Sequence, residues 1–123
     1  LGMQLLASKG FENNKETDGL CFIPGSVEKL KISNDFKLPH LGWNEVHYKN
    51  VNPLLKEIPN GKDFYFVHNY YFNSFDDKYI VAKTNYGNEF PSIINKLNIY
   101  GVQFHPEKSL KFGIKLLENF LKI

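Results

Sequence analysis

Two aromatic and β-branched runs, separated by a polar turn, limit what this chain can fold into more than any other feature. Residues 64–71 and 79–84 have the composition of strands, and a polar Asn-Ser-Phe-Asp-Asp stretch separates them. A last strand is predicted over residues 99–104, and from Ser109 the apolar spacing becomes helical. One face of that closing helix carries Leu110, Ile114, Leu117, Phe120 and Leu121. The pattern predicts a series of strands followed by a closing amphipathic helix.

The rest of the chain is predicted to alternate short elements with turns. Residues 1–10 have helical spacing and end on Gly10, which suits a helix C-cap. No capping residue, initiator Met or strand precedes that helix, so upstream residues are expected to be absent. The other predicted elements are a strand over 20–23, an edge hairpin over 27–32, an exposed loop over 37–46 leading into a short strand, and a short helix from Pro53 capped by Asn52.

Composition excludes several classes of function. The chain has 123 residues, enough for one domain or a piece of one, and its net charge is only +2. All fifteen basic residues are Lys, and the absence of the bidentate Arg fork argues against nucleic-acid binding. No apolar run approaches the roughly 20 residues that span a bilayer. A single cysteine and the lack of a leader sequence predict a cytoplasmic protein.

A histidine and a glutamate stand two residues apart where the last predicted strand ends. In an extended segment His105 and Glu107 would point to the same side, with Pro106 fixing the backbone between them. A carboxylate bound to one ring nitrogen leaves the other free to take a proton from a nucleophile. The pair therefore predicts half of a catalytic site, and the nucleophile must come from elsewhere.

Other candidate groups have simpler interpretations. Cys21 lies in an apolar stretch without a neighbouring base, so a buried, inert thiol is predicted. His40 and His47 do not have the spacing of zinc ligands, and no metal site is predicted. His68 lies on an aromatic strand, where a structural role is favoured.

Several motifs resemble class I glutamine amidotransferases, in particular the glutaminase subunits of imidazole glycerol phosphate synthases. They occur in the family's order and cover nearly the whole chain: Gly2 to Leu6, Pro39 to Asn44, Tyr65 to Tyr70, Tyr86-Gly87 and Gly101 to Ser109. The resemblance implies a flavodoxin-like α/β amidotransferase domain that is incomplete at the N-terminus, with residues 1–123 as the C-terminal portion of a single domain.

The resemblance also implies a thiol chemistry. A cysteine would attack the side-chain amide of glutamine, with His105 as general base and then general acid and Glu107 orienting the imidazole. The family places that cysteine immediately before Leu1, so it is missing from this sequence. Residues 1–123 alone are therefore expected to be inactive, and no cofactor is needed.

Binding residues follow from the same resemblance. The glutamine pocket would be formed by the Leu1 amide, the Gln4 side chain and the backbone of Asn69 and Tyr70. A (β/α)₈ cyclase subunit would receive the ammonia through a heterodimer interface. The residues expected to face it are Pro39, Leu41, Gly42, Trp43, Tyr65 and Lys108.

Two alternatives remain open at this point. A paralogous amidotransferase could supply ammonia to a synthase that modifies a surface sugar, with unchanged glutaminase residues and a different partner. A non-catalytic scaffold relative could keep the partner surface without the thiol. The residue encoded before Leu1 separates the second alternative from the others.

Overall fold

A computed structural model describes residues 2–11 and 14–123 and contains two sheets and two α-helices among them. The helices are α1 (Gly2–Leu5) and α2 (Leu110–Leu121), and short 3₁₀ helices cover Pro53–Leu55, Asp77–Tyr79 and Pro106–Lys108. The strands are β1 (Lys9–Gly10), β2 (Thr17–Asp18), β3 (Gly25–Lys29), β4 (His40–Tyr48), β5 (Lys62–His68), β6 (Tyr70–Ser74), β7 (Ile80–Asn85), β8 (Glu89–Lys96) and β9 (Ile99–Val102). None of the described helices is long and apolar enough to cross a membrane.

The strands form one four-stranded and one five-stranded sheet. The smaller sheet has the order β2-β1-β3-β6, in which β1 and β3 are parallel, and the larger has the antiparallel order β5-β4-β7-β8-β9. The register of β4 on β5 places His40 opposite His68 and Trp43 opposite Tyr65. Because alternate residues share a face, this register separates a buried histidine pair from the Trp43–Tyr65 pair on the more exposed face.

The predicted strand over residues 64–71 is in fact two strands in different sheets. β5 ends at His68 in the larger sheet, and β6 begins at Tyr70 in the smaller one. Asn69 is therefore the corner between the sheets, and its carbonyl accepts a hydrogen bond from the Leu30 amide at 2.9 Å. Composition could not show this break, because strand-forming residues lie on both sides of it.

The N-terminal third differs from the sequence-based expectations. Helix α1 ends at Leu5, and Lys9–Gly10 continue as strand β1 instead of capping a helix. Residues 20–23 are not a strand, because their amides turn back to α1 and the residues after it, as in the 2.9 Å bond from Cys21 to the Ala7 carbonyl. Strand β3, predicted in an edge hairpin, lies between β1 and β6.

Two further strands that contain proline or glycine, or lie next to them, differ from the sequence-based prediction. β4 runs for nine residues where mainly a loop was predicted, because Pro39 precedes it and Gly42 is accommodated within it at φ +123°. β8 lies in a stretch for which no element was predicted, and it contains Pro91, a residue rarely found in a central strand. Pro91 pairs with Lys83 beside an irregularity in the register of β7, which allows a residue without an N–H inside the sheet.

The main core lies between the five-stranded sheet and α2. The Phe64 and Phe104 rings pack in a tilted arrangement with centroids 4.3 Å apart, and each buried side chain of this size contributes roughly 1.5–3 kcal/mol. Helix α2 faces this core with its buried residues Gly113, Leu116 and Asn119. The apolar face predicted from spacing is instead exposed in the described part of the chain, at Leu110, Ile114, Leu117, Phe120 and Leu121.

A polar contact explains why hydrophobic spacing did not identify the packed face of α2. The Asn119 side-chain amide donates hydrogen bonds to the carbonyls of Leu54 at 2.9 Å and Lys56 at 2.8 Å. These bonds satisfy carbonyl groups at the end of the 3₁₀ helix over Pro53–Leu55. At the start of that helix the Asn52 side chain accepts from the Leu54 amide, as the predicted N-cap. Helix α2 is thus positioned by the small Gly113 and by the side-chain amide of Asn119 as well as by Leu116.

Candidate active site

His105 and Glu107 are hydrogen-bonded at the start of a 3₁₀ turn. The turn, rather than the extended backbone that was predicted, brings Oε1 of Glu107 to 2.8 Å from Nδ1 of His105. A hydrogen bond from its own backbone amide lowers the pKa of Glu107, and the contact with His105 lowers it further. The ionised carboxylate can only accept, so Nδ1 carries the ring proton and Nε2 of the neutral imidazole can act as a base.

A hydrogen-bonded brace holds the backbone of His105. Its amide donates to the Tyr65 carbonyl at 2.9 Å, and its carbonyl accepts from the Ser109 hydroxyl at 2.6 Å. The same hydroxyl accepts from the Tyr65 amide at 3.0 Å. Ser109 was not among the predicted site residues. Its position four residues after His105 is the sequence feature that could have identified it. The brace ties the His105–Glu107 pair to the middle of β5 and to the start of α2.

Close packing at Gly113 supports the same turn. A Cβ atom built on Gly113 would lie 2.0 Å from the Pro106 carbonyl oxygen and 2.8 Å from Cβ of Ser109. Real carbon and oxygen atoms do not approach this closely, so helix α2 can approach the turn only with glycine at this position. Sequence analysis missed this role, because a glycine inside a helical pattern usually indicates weaker helix formation.

A cavity of about 620 Å³ lies next to His105 and is where a small substrate would bind. Residues from α1, from the corner between the sheets and from the segment before His105 line it: Gly2, Met3, Gln4, Val67, His68, Asn69, Tyr70, Tyr100, Gly101, Val102, Gln103, Phe104 and His105. The Gln4 amide nitrogen donates to the Tyr70 carbonyl at 3.1 Å and to Oε1 of Gln103 at 3.3 Å. Two acceptors fix the nitrogen end of the Gln4 amide, and therefore the direction of its oxygen.

Three of the four predicted substrate-binding residues line this cavity. Gln4, Asn69 and Tyr70 do so, whereas Leu1 lies outside the described residues. The Tyr70 carbonyl already accepts from Gln4 and from Nδ1 of His68 at 2.7 Å. Both lone pairs of the Tyr70 carbonyl are therefore used within the protein. A substrate bound at this corner would have to contact other backbone groups of it. Gln103, which sequence analysis missed, is 7% exposed and supports Gln4.

Most of the predicted partner-facing residues lie on one largely exposed surface beside the turn that carries His105 and Glu107. Leu41 and Trp43 on β4 are 61% and 50% exposed. The Trp43 ring meets the Tyr65 ring edge-on at 5.8 Å, and the Lys108 ammonium lies 5.8 Å from the Tyr65 ring centroid. Gly42 lies between Leu41 and Trp43, and Pro39 is exposed just before β4. This surface carries an aromatic pair and a cation beside His105 and Glu107, since Lys108 directly follows Glu107 and the Tyr65 carbonyl accepts from the His105 amide.

His40 and His68 form a buried pair behind that surface. Nδ1 of His40 is 2.9 Å from Nε2 of His68, and the Asn44 amide nitrogen is 3.1 Å from Nε2 of His40. The His40 ring is stacked between Tyr86, at 4.0 Å, and Phe66, at 4.8 Å. Burial lowers the pKa of both histidines to about 4. Both rings are therefore neutral near pH 7.

Stability should fall as the pH is lowered towards the pKa of this buried pair. Unfolded histidine has a pKa of about 6.5, so between pH 6.5 and about 4 the unfolded chain binds protons that the folded rings do not. The free energy of unfolding should then decrease by up to about 3 kcal/mol per ring, at about 1.4 kcal/mol per pKa unit.

Urea unfolding of the complete protein at pH 7.0, 6.0, 5.0 and 4.5 measures this decrease. This window lies above the pKa range of most carboxylates, so histidine dominates the slope. His68→Asn should remove the share of the slope that His68 contributes. A free energy of unfolding that stays constant from pH 7 to pH 5 contradicts the prediction.

Cys21 differs from its prediction and lies away from the candidate site. It is exposed rather than buried and adopts φ +57°. Its thiol is 3.5 Å from the Ser8 hydroxyl, and it is not among the described residues that line the cavity. Across residues 2–11 and 14–123 no group of three or more His, Cys, Asp or Glu side chains could hold a metal ion.

Comparison with known proteins places the chain in a family. Residues 1–123 match the family described as glutamine amidotransferase class-I, and the chain belongs to that family. The resemblance inferred from the motifs and the α/β fold class are thereby confirmed.

The more specific similarity is to one kind of subunit within the family. The chain is 51% identical over 122 residues to imidazole glycerol phosphate synthase subunit HisH 2 of Methanococcus maripaludis, covering 99% of the chain and 59% of that protein. It is 49% identical to subunit HisH of Methanocaldococcus jannaschii and 46% identical to that of Listeria monocytogenes, each over 123 residues, covering 100% of the chain and 61% and 58% of those proteins. The chain thus spans about three fifths of the length of these relatives.

Proposed function

We propose that the complete protein carrying this chain hydrolyses glutamine to glutamate and ammonia as the glutaminase subunit of an imidazole glycerol phosphate synthase, in histidine biosynthesis. The observation that carries the proposal is the 2.8 Å pair of His105 and Glu107 beside a cavity, in a chain about half identical to subunits of that name. Residues 1–123 would be the C-terminal portion of a single amidotransferase domain in the cytoplasm.

The proposed chemistry uses His105 as a base and then as an acid. Nε2 of His105 takes the proton of a cysteine thiol, and the thiolate attacks the side-chain amide carbon of glutamine. The carbon–nitrogen bond breaks as His105 returns the proton to the leaving nitrogen, which releases ammonia. Water, deprotonated by His105, then attacks the thioester, and the carbon–sulfur bond breaks to release glutamate as His105 returns that proton to the cysteine sulfur. Glu107 stabilises the protonated imidazole in both halves.

We assign the nucleophile to a cysteine just before Leu1, where the family has it. Residues 1–123 contain a single cysteine, Cys21, and its exposed position by Ser8 gives it no contact with His105 in the described structure. Residues 1–123 by themselves should therefore not hydrolyse glutamine.

The glutamine substrate would bind in the cavity that Gln4 and the Asn69–Tyr70 corner line. Its side-chain amide must reach the nucleophile beside His105, so its α-amino and α-carboxylate groups would lie towards this corner. The fixed Gln4 amide presents an oxygen as an acceptor for an N–H group of the substrate. The backbone of Asn69 and Tyr70 and the Leu1 amide would complete the pocket. No cofactor takes part.

A (β/α)₈ cyclase is the proposed partner and would use the ammonia. The exposed Leu41 and Trp43 and the half-buried Tyr65 have the character of interface anchors, and Lys108 would meet a carboxylate of the partner. Pro39 and Gly42 shape the strand that presents them. Because this surface adjoins His105, ammonia could pass into the partner without crossing bulk water.

Ammonia release from glutamine by the complete protein tests this function. We expect equal amounts of glutamate and ammonia, and a rate that increases when the cyclase subunit and its nucleotide ligand are added. The cyclase should also form imidazole glycerol phosphate from glutamine only when this subunit is present.

Other outcomes separate the remaining possibilities. Ammonia release that responds to a sugar-modifying synthase, and not to the histidine-pathway cyclase, would replace the proposed partner while keeping the glutaminase. No ammonia release in any combination, with a cysteine confirmed before Leu1, would contradict the glutaminase itself. A residue other than cysteine at that position would favour a scaffold.

A further inference from the structure

The buried pair of His40 and His68 connects strand β4 to the proposed glutamine pocket. The catalytic steps proposed above do not use this pair. His40 is 2% exposed and His68 is 7% exposed. Burying two imidazoles lowers stability unless their nitrogens are hydrogen-bonded, and here every ring nitrogen has a partner.

The proton positions along this chain of hydrogen bonds are fixed by its two ends. The Tyr70 carbonyl can only accept, so Nδ1 of His68 carries a proton and its Nε2, in the neutral ring, does not. Nδ1 of His40 must then donate to Nε2 of His68, and Nε2 of His40 must accept from the Asn44 amide. All bonds therefore donate in one direction, from Asn44 to the Tyr70 carbonyl.

We propose that His68, supported by His40, is a positioning residue for the glutamine pocket, holding the Tyr70 carbonyl in the place where the Gln4 side chain binds it. The inference rests on the proposed function, because it concerns how the glutamine site is built. It assigns His68 no proton transfer and no contact with the reacting atoms.

The corner between the two sheets explains why such a residue is needed. His68 is the last residue of β5 and Tyr70 the first of β6, so regular pairing of either sheet is interrupted between them. The 2.7 Å bond from His68 to the Tyr70 carbonyl bridges the interruption. Because Gln4 donates to the same oxygen, a shift of this carbonyl would turn the Gln4 amide away from the substrate.

Aromatic packing makes the arrangement rigid. Phe66 and Tyr86 stack on either face of His40, and the Phe90 ring lies 4.9 Å from the His68 ring. The Asn44 amide nitrogen also donates to the Asn85 carbonyl at 2.9 Å, which anchors the outer end of the chain. Two rings packed against aromatic neighbours cannot rotate easily to reverse their bonds, so the direction of donation is kept.

Two substitutions at His68 separate its two hydrogen bonds. An asparagine amide nitrogen lies near the place of Nδ1, so His68→Asn can keep the bond to the Tyr70 carbonyl and loses the bond from His40. A glutamine amide reaches the place of Nε2, so His68→Gln can keep the bond to His40 and loses the bond to Tyr70. His47→Asn and His47→Gln are matched controls, because His47 is exposed on β4.

Glutamine affinity and stability should respond differently in the two variants. We expect His68→Gln to raise KM and the Kd of glutamine, measured by calorimetry, about tenfold with kcat less affected. His68→Asn should lower the urea midpoint and raise KM clearly less than His68→Gln does. If both variants change KM equally, or if KM follows stability, His68 is a structural residue and the inference is wrong.

Measurements on the unmodified protein keep the test valid if a variant does not fold. Nitrogen-15 NMR shifts of the His68 ring should show a protonated Nδ1 and an unprotonated Nε2, and the opposite tautomer would overturn the inference. Failure of the proposed function is distinguishable, because wild-type protein would then neither bind nor hydrolyse glutamine.

Discussion

Replacement of His105 by alanine should reduce glutamine hydrolysis by the complete protein at least about a thousandfold, with little change in stability. The reason is that the proposed reaction needs one group both to activate the thiol and to protonate the leaving nitrogen, and such groups contribute roughly 10²–10⁴ in rate for each role. The His105 side chain is 38% exposed, so its removal leaves no large buried cavity. Steady-state ammonia release and urea unfolding measure the two effects.

Two further variants identify the cause of that loss. Glu107→Gln should lower kcat by about a hundredfold or more, because a neutral amide can donate to Nδ1 and so stabilise the tautomer with its proton on Nε2. His47→Ala, which removes an exposed histidine, should leave the rate unchanged. A His105→Ala protein that retains more than about a tenth of the activity would show that another group is the base.

The contact of His105 with Glu107 could be predicted because it is local. These side chains are two positions apart in sequence, and a compact turn brings them together. The contact of Gln4 with Tyr70 and Gln103 spans 66 and 99 residues, so it depends on the complete arrangement of both sheets. The family motifs pointed to Gln4 and Tyr70, but no local pattern could show which of their atoms meet.

The histidine pair shows how register limits prediction from sequence. His40 lies opposite His68 because β4 pairs with β5 along its whole first half. The composition around Pro39 and Gly42 predicts a loop, so no strand register could be assigned to this region. Once strand pairing is known, the pair, its burial and its neutral charge follow from the fixed spacing of cross-strand neighbours.

Replacement of Gly113 by alanine should destabilise the complete protein by about 3 kcal/mol and lower glutaminase turnover at least tenfold. In a helix this substitution ordinarily stabilises, by up to about 1 kcal/mol. Here the added Cβ would lie 2.0 Å from the Pro106 carbonyl oxygen. Both atoms belong to fixed backbone, so α2 and the turn must separate, and forced repacking of this kind costs roughly 1–3 kcal/mol or more.

The loss of turnover follows because the displaced turn carries the catalytic pair. Moving Pro106 shifts His105 and Glu107 against Tyr65 and weakens the Ser109 brace. Gly10→Ala is the matched control, since a Cβ there would meet Cβ of Val27 at an ordinary 3.5 Å. Gly113→Ala should lower both the free energy of unfolding in urea and the rate of ammonia release. Gly10→Ala should change neither. A stabilised Gly113→Ala protein would mean that helix α2 does not fix the catalytic turn.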